Sequence, residues 1–166
     1  MITIDCVNFA FHHARGPIYG YLTAKGLRAL MLPGPARKRV HWLPSAAGVV
    51  LGKKLQDELQ RYFAGISVNF ADIPLDLPQT TPFRRRVWMA TRRIPWGETA
   101  SYGDIAKRVS RVSASARAVG GALGTNPIPI LIPCHRILPA AGGLGGFSAG
   151  IDWKRELLRI EGHAFP

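Results

Sequence analysis

An α/β domain followed by a mainly helical one is the architecture that this sequence predicts, and three observations predict it. The first half holds two short apolar strands about a turn and then an amphipathic helix. The stretch "ADIPLDLPQTTP" (71–82) puts three prolines into twelve residues. The second half repeats helical periodicity up to its end. Proline fixes φ and lacks a backbone donor, so the proline-rich stretch suits neither a helix nor a ladder and reads as an extended connector. The boundary is placed there, with an N-terminal α/β domain over 1–78 and a C-terminal domain over 79–166. A chain of 166 residues can bury one substantial core or two small ones.

Each element has its own signature. "PIYGYLTAKGLRALMLP" (17–33) reads as two strands about a Lys25-Gly26 turn, with glycine at the tight position. In "AGVVLGKKLQDELQRYFAG" (47–65), Val50, Leu55, Leu59, Tyr62 and Phe63 recur at mostly helical spacing and Gly65 marks the stop. "PFRRRVWMATRRIPWG" (82–97) places Phe83, Val87 and Ala90 or Thr91 on one helical face with arginines opposite, and Pro95 ends it. "SYGDIAKRVS" (101–110) reads as a short helix capped by Ser101, with Asp104 at the capping-box position. A turn and the helix "SASARAVGGALG" (113–124) complete a helix-turn-helix outline.

That last helix is unusual. Ser115, Ala118, Val119, Ala122 and Leu123 share one face, while Gly120, Gly121 and Gly124 surround Arg117 on the other. An interior glycine costs about 1 kcal/mol relative to alanine. Two explanations stay open on sequence: close approach of an external backbone, or tight packing inside the protein with Arg117 reaching to water. In the final helix, "DWKRELLRIEG" (152–162), Trp153, Leu157, Ile160 and Glu161 form a stripe, which turns a carboxylate toward the apolar side at a helix C-terminus.

Charge narrows the function classes. Lys and Arg number 22 against 10 Asp and Glu, a net +12, which favours a polyanionic partner, nucleic acid before acidic membrane. The basic residues gather at Arg84–Arg86, Arg92, Arg93, Lys107, Arg108 and Arg111. No apolar run approaches the roughly 18 residues of a membrane span. "MITIDCVNFAFHHARGP" lacks the basic start and unbroken apolar stretch of an export signal. Two cysteines are too few to staple a domain of this size, so both thiols are expected to be free in a reducing compartment. That means the cytoplasm of a prokaryote or the nucleus of a eukaryote.

The segment "ILIPCHRIL" (130–138) sets Cys134 beside His135 in an apolar run. Cysteine in such a run is commonly an inert core residue, and Cys6 is read that way. Cys134 differs in company. Thiols attack as thiolates, and nearby cationic or proton-accepting groups promote that form. On an extended segment neighbouring side chains point apart. The pair would then communicate through water, with a carboxylate such as Glu161 orienting the imidazole.

"NPIPILIPCHRIL" (126–138), "SARAVGGALGTNP" (115–127), "VW" (87–88), "IPWGETASYGDIA" (94–106) and "GGFSAGIDWKRELLRIEG" (145–162) together resemble the O6-alkylguanine-DNA alkyltransferases. The resemblance runs continuously over 83–162 and matches the first half only in size and arrangement. It implies an N-terminal ribonuclease-H-like α/β domain and a C-terminal helical domain of winged helix-turn-helix type. It also implies irreversible, single-turnover transfer of an alkyl group from O6-alkylguanine, and possible action on O4-alkylthymine, by a monomer docked in the minor groove of duplex DNA, without cofactor.

Carried over residue by residue, the resemblance makes Cys134 the acceptor, His135 the water-linked base, Glu161 the carboxylate behind it and Asn126 the hinge. Tyr102 would help expel guanine, and Arg117 would enter the duplex in place of the flipped nucleotide. Arg84 and Gly103 would meet the DNA backbone. The loop "AAGGLGGFSAG" (140–150) would supply Ser148 to guanine O6 and, with Pro133, Ile137 and Phe147, line the pocket. Phe147 stands where many members have tyrosine. Some members hold zinc in the first domain, but Cys6 has only His12, His13 and His41 near it in sequence, so no structural metal is expected. Other classes share parts of the pattern. A damage-recognition relative would lack the acceptor cysteine, a helix-turn-helix regulator would not need the Pro-Cys-His-Arg turn, and a cysteine hydrolase would turn over.

Overall fold

The computed structural model describes residues 6–34, 41–42, 49–110 and 115–165. By its internal contacts the chain divides into two compact units, Met1–Pro78 and Gln79–Pro166.

In the first unit, strands β1 (Cys6–Val7), β2 (Phe9–His13), β3 (Gly16–Thr23) and β4 (Gly26–Met31) follow one another, and β5 (His41–Trp42) pairs in parallel with β1. β2, β3 and β4 form an antiparallel sheet in that order. β2 is not expected from the sequence, because "FAFHH" alternates weakly and its histidines resemble a loop. The turn falls on Ala24 and Lys25, and Gly26 opens β4. Glycine is required there for another reason than the turn. A Cβ on Gly26, whose φ is +142°, would lie 2.4 Å from the Pro74 carbonyl oxygen. The connector crosses at this point, with Leu27 N–H donating to Pro74 O and Asp76 N–H to Leu27 O.

Helix α1 (Val49–Phe63) buries Leu55, Leu59 and Tyr62. Val50 does not join them and is 84% exposed. It lies five positions before Leu55, and five steps of about 100° turn a side chain well off the face. Phe63, half-buried, stacks on Phe11 at 5.5 Å. Gly65 follows the helix at φ +77°. Cys6 belongs to β1, but its side chain is outside the described residues.

In the second unit, α2 (Pro82–Arg92) starts with proline in its first turn and Thr81 as N-cap. It buries Val87, Trp88 and Thr91, while Phe83 and Ala90 are half-buried. Trp88 widens the apolar stripe and donates its indole N–H to Ala122 O at 2.8 Å. The two-residue strand β6 (Ala100–Ser101) leads into α3 (Tyr102–Val109). The Ser101 hydroxyl accepts from Asp104 N–H, and the Asp104 carboxylate accepts from Ser101 N–H, a complete capping box.

Helix α4 (Ala116–Leu123), with Ser115 as N-cap, buries Val119, Ala122 and Leu123. Ala118 and Ser115, expected on the inner face, are exposed. The helix is only 8 residues long, and its first turn projects beyond the core. α2, α3 and α4 pack on one another. Arg111 lies outside the described residues. Past a buried loop, a single 3-10 turn (Cys134–Arg136) leads into β7 (Ile137–Leu138), which pairs in parallel with β6. Helix α5 (Ile151–Ile160) packs against that turn and buries Trp153, Lys154, Leu157 and Leu158. Ile160 is only half-buried. Among the described residues, no helix is long and apolar enough to cross a membrane.

Candidate active site

The site is built on the 3-10 turn. Cys134 and His135 are not on an extended strand, as the apolar run suggests, because the prolines and a backbone turn intervene. Ile132 N–H donates to Ile128 O, Cys134 N–H to Ile132 O and Arg136 N–H to Pro133 O. Buried Ile130 sits at φ 73°, a position that a β-branched residue rarely takes, at a cost of about 1–3 kcal/mol.

Asn126 holds this arrangement. Its Oδ1 accepts from Ile128 N–H at 3.0 Å, and its Nδ2 reaches Ile132 O at 2.8 Å and Cys134 Sγ at 3.0 Å. The residue lies three positions past the end of α4 and donates its N–H to Leu123 O, so it links that helix, the strained loop and the thiol. Cys134 is 7% exposed. Burial pushes its thiol above the usual range, while the Asn126 amide and the Lys154 charge pull it back.

His135 and Glu161 are both fully buried at the side chain, and His135 Nε2 lies 2.8 Å from Glu161 Oε1. Burial alone would raise the Glu161 carboxyl. The hydrogen bonds and charges of His135 and Arg136 overcome it and bring the value down to about 2. An ionised carboxylate can only accept, so Nε2 carries the proton. Burial also holds His135 below its usual value despite Glu161. The ring is therefore neutral near pH 7, and its Nδ1 has a lone pair to take a proton.

Two residues not among those expected from the sequence, Arg136 and Lys154, complete the site. Arg136 grips Glu161 with Nε to Oε2 at 2.8 Å and Nη2 to Oε1 at 2.9 Å, and donates Nη1 to Ile94 O. Lys154, 0% exposed, donates Nζ to Ile137 O at 2.7 Å. A signal for it exists in the sequence: Lys154, Leu158 and Glu161 recur at i, i+4 and i+7 along α5.

The remaining candidates are spread more widely. Tyr102 is the first residue of α3, half-buried, and its phenol is pushed up by burial and by the proximity of Cys134. A Cβ on Gly145 would come within 3.5 Å of Tyr102 Oη, so the 140–150 loop passes against the tyrosine. Pro133 and Ile137 are buried, Phe147 is half-buried and Ser148 exposed. No hydrogen bond joins Ser148 to Cys134 among the described residues. Gly103 is half-buried, and Arg84 and Arg117 are exposed. The glycines of α4 also become interpretable. Among the described residues, a Cβ on Gly121 would meet nothing within 4 Å, one on Gly120 would only touch the Tyr102 ring at 3.7 Å, and one on Gly124 would meet only its own helix turn. Packing among the described residues does not demand them. Among the described residues, no group of three His, Cys, Asp or Glu is placed to hold a metal ion.

Residues 82–163 match the family model described as 6-O-methylguanine DNA methyltransferase, DNA binding domain. A methylated-DNA–protein-cysteine methyltransferase of Mycobacterium tuberculosis is 48% identical over 128 residues, 77% of this chain and 74% of that protein. The chain belongs to this family of O6-methylguanine-DNA methyltransferases. A Methanosarcina mazei relative of the same name is 40% identical over 157 residues, covering 91% of this chain and 96% of its own. Among solved structures, the Mycobacterium tuberculosis protein OGT in complex with DNA aligns at a TM-score of 0.76 with 39% identity, covering 93% of this chain and 92% of that one. The methyltransferase of the archaeon Pyrococcus kodakaraensis aligns at 0.66 with 25% identity over 95% and 99%. The likeness to these family structures spans both units, so the mixed α/β architecture of the whole chain is that of the family.

Proposed function

We infer that the chain repairs O6-alkylated guanine in DNA by moving the alkyl group irreversibly onto Sγ of Cys134. One observation carries the reading: a buried thiol, held by an amide, stands next in sequence to a neutral imidazole whose far nitrogen is fixed by an ionised carboxylate. Cys134 gives its proton to His135 through a water molecule, and Glu161 stabilises the imidazolium that results. The thiolate attacks the alkyl carbon. An S–C bond forms, the C–O6 bond breaks, and the electron pair leaves with guanine, toward which Tyr102 donates so that the base departs neutral or partly protonated. A thioether has no good leaving group at neutral pH, so each molecule acts once.

Recognition follows from the basic second unit. A base inside a duplex hides its O6 substituent, so the nucleotide must flip out. The bare α4 face suits close approach to a minor groove, with Arg117 filling the vacated stack and Arg84 and Gly103 meeting the DNA backbone. Ser148 contacts guanine O6 in a pocket walled by Pro133, Ile137 and Phe147. In this reading residues 1–78 are the ribonuclease-H-like α/β domain and 79–166 the winged helix-turn-helix, DNA-binding and alkyl-acceptor domain, and the chain acts as a monomer. The test is intact mass after incubation with excess O6-methylguanine DNA. One methyl per molecule on Cys134, then no further reaction, is expected, and Cys134→Ser binds but accepts nothing. Steady turnover, or methyl on Cys6, overturns it.

A further inference from the structure

The acceptor turn carries more positive charge than its ion pairs account for. Arg136 and Glu161 neutralise one another through two hydrogen bonds. Lys154 has no such partner: among the described residues it makes no ion pair, and its one hydrogen bond goes to a neutral carbonyl, that of Ile137. Its side chain is nonetheless completely buried. A buried cation without an anion is strongly unfavourable, and a methionine of similar length would fill the space without that penalty. The Ile137 carbonyl belongs to the peptide unit just past the 3-10 turn, and Ile137 N–H donates to Cys134 O. The ammonium is thus fixed to the backbone that holds the nucleophile.

Among the described residues, the titratable groups around the turn are Cys134, neutral His135, the Arg136–Glu161 pair, Tyr102 from the start of α3 and Lys154 from α5. Two cations and one carboxylate leave one positive charge, and an ionised Cys134 cancels it once the proton taken up by His135 has passed on to solvent. We propose that Lys154 is the counter-charge of the Cys134 thiolate, a positioning residue that keeps the acceptor ionisable inside an apolar shelter. The inference rests on Cys134 being the alkyl acceptor. The proton still leaves by way of His135, while Lys154 keeps its own and acts through its field. Burial draws Lys154 down to about 8 and the charge on Cys134 opposes that fall, as expected of two groups that need one another's charge. Coupling between two titrating sites is reciprocal: whatever Lys154 does to the thiol, the thiolate does to Lys154.

The test reads the coupling from both ends in the full chain. Iodoacetamide labelling of Cys134 across pH, located by mass, gives the apparent ionisation of the thiol. Lys154→Met should move that midpoint up by about one unit, equivalent to an about tenfold slower reaction near pH 7 that recovers at high pH. Lys154→Arg, which keeps the charge, should restore part of the shift. A uniform loss at every pH would mean a structural role and overturn the proposal. Should the methionine variant not fold, NMR of 13Cε-labelled lysine in the otherwise unaltered chain decides: the Lys154 midpoint should be lower in Cys134→Ser than in the wild type, and equal midpoints overturn it. Labelling does not depend on the repair reading, whose own failure would appear as absence of a benzyl adduct from O6-benzylguanine.

Discussion

Glu161 is a carboxylate kept ionised where burial would otherwise neutralise it, and His135 and Arg136 together are the reason. A bidentate guanidinium occupies both oxygens, so the histidine meets a fixed negative charge. Glu161→Gln removes that charge while keeping an oxygen for Nε2. Transfer from O6-methylguanine DNA should then slow by about 10²-fold at pH 6, because the imidazolium loses its stabiliser. The deficit should narrow at pH 9, where the thiol ionises without a base. Equal deficits at both pH values would mean that Glu161 only shapes the turn. Much of this residue set was legible in the sequence, since Cys, His and a misplaced Glu are chemically conspicuous. Arg136 and Lys154 were not, because a basic residue in a basic protein looks like surface until burial shows otherwise.

Helix α4 sets two demands against each other. Glycine weakens a helix by about 1 kcal/mol, yet Gly121 is exposed and none of the described residues crowds it. Gly121→Ala should therefore raise unfolding stability by about 0.5–1 kcal/mol in urea titrations. Gly121→Leu, by obstructing the approach of DNA, should weaken duplex binding without slowing reaction with free O6-benzylguanine. Arg117→Ala should show the same split, impairing duplex repair far more than reaction with the free base. If both substrates slow alike, the helix has been damaged and the docking role fails. Elements defined by local chemistry were readable in advance: the Ser101 and Asp104 capping box is set within four residues. β2 and the 3-10 turn were not. The first becomes a strand only when β3 pairs with it, and the second is imposed by Asn126 and two prolines on residues that, taken alone, prefer to extend.

Acid stability connects the site to the molecule as a whole. The Glu161 carboxyl lies at about 2 in the folded chain against an ordinary 4.5. The folded value is the lower one, so the stability it contributes is complete above about pH 4.5 and is lost as pH falls toward 2. The shift corresponds to about 3 kcal/mol. Urea unfolding followed by tryptophan fluorescence should weaken steeply over that window in the wild type and less in Glu161→Gln; parallel curves would show that the pair contributes nothing net. The crossing of Pro74 over Gly26 was not legible in the sequence, because such a contact has no local pattern. The acceptor turn is closed by bonds to partners 17, 26 and 42 residues away. Joining distant segments loses chain entropy before any contact repays it, so this part of the molecule assembles after its helices. In refolding experiments a bulky maleimide should reach Cys134 until the slowest tryptophan phase is complete, and protection within the earliest phase would contradict this order. Competence for repair is thus among the last properties a folding chain acquires, and until then its nucleophile is an ordinary cysteine, open to oxidation.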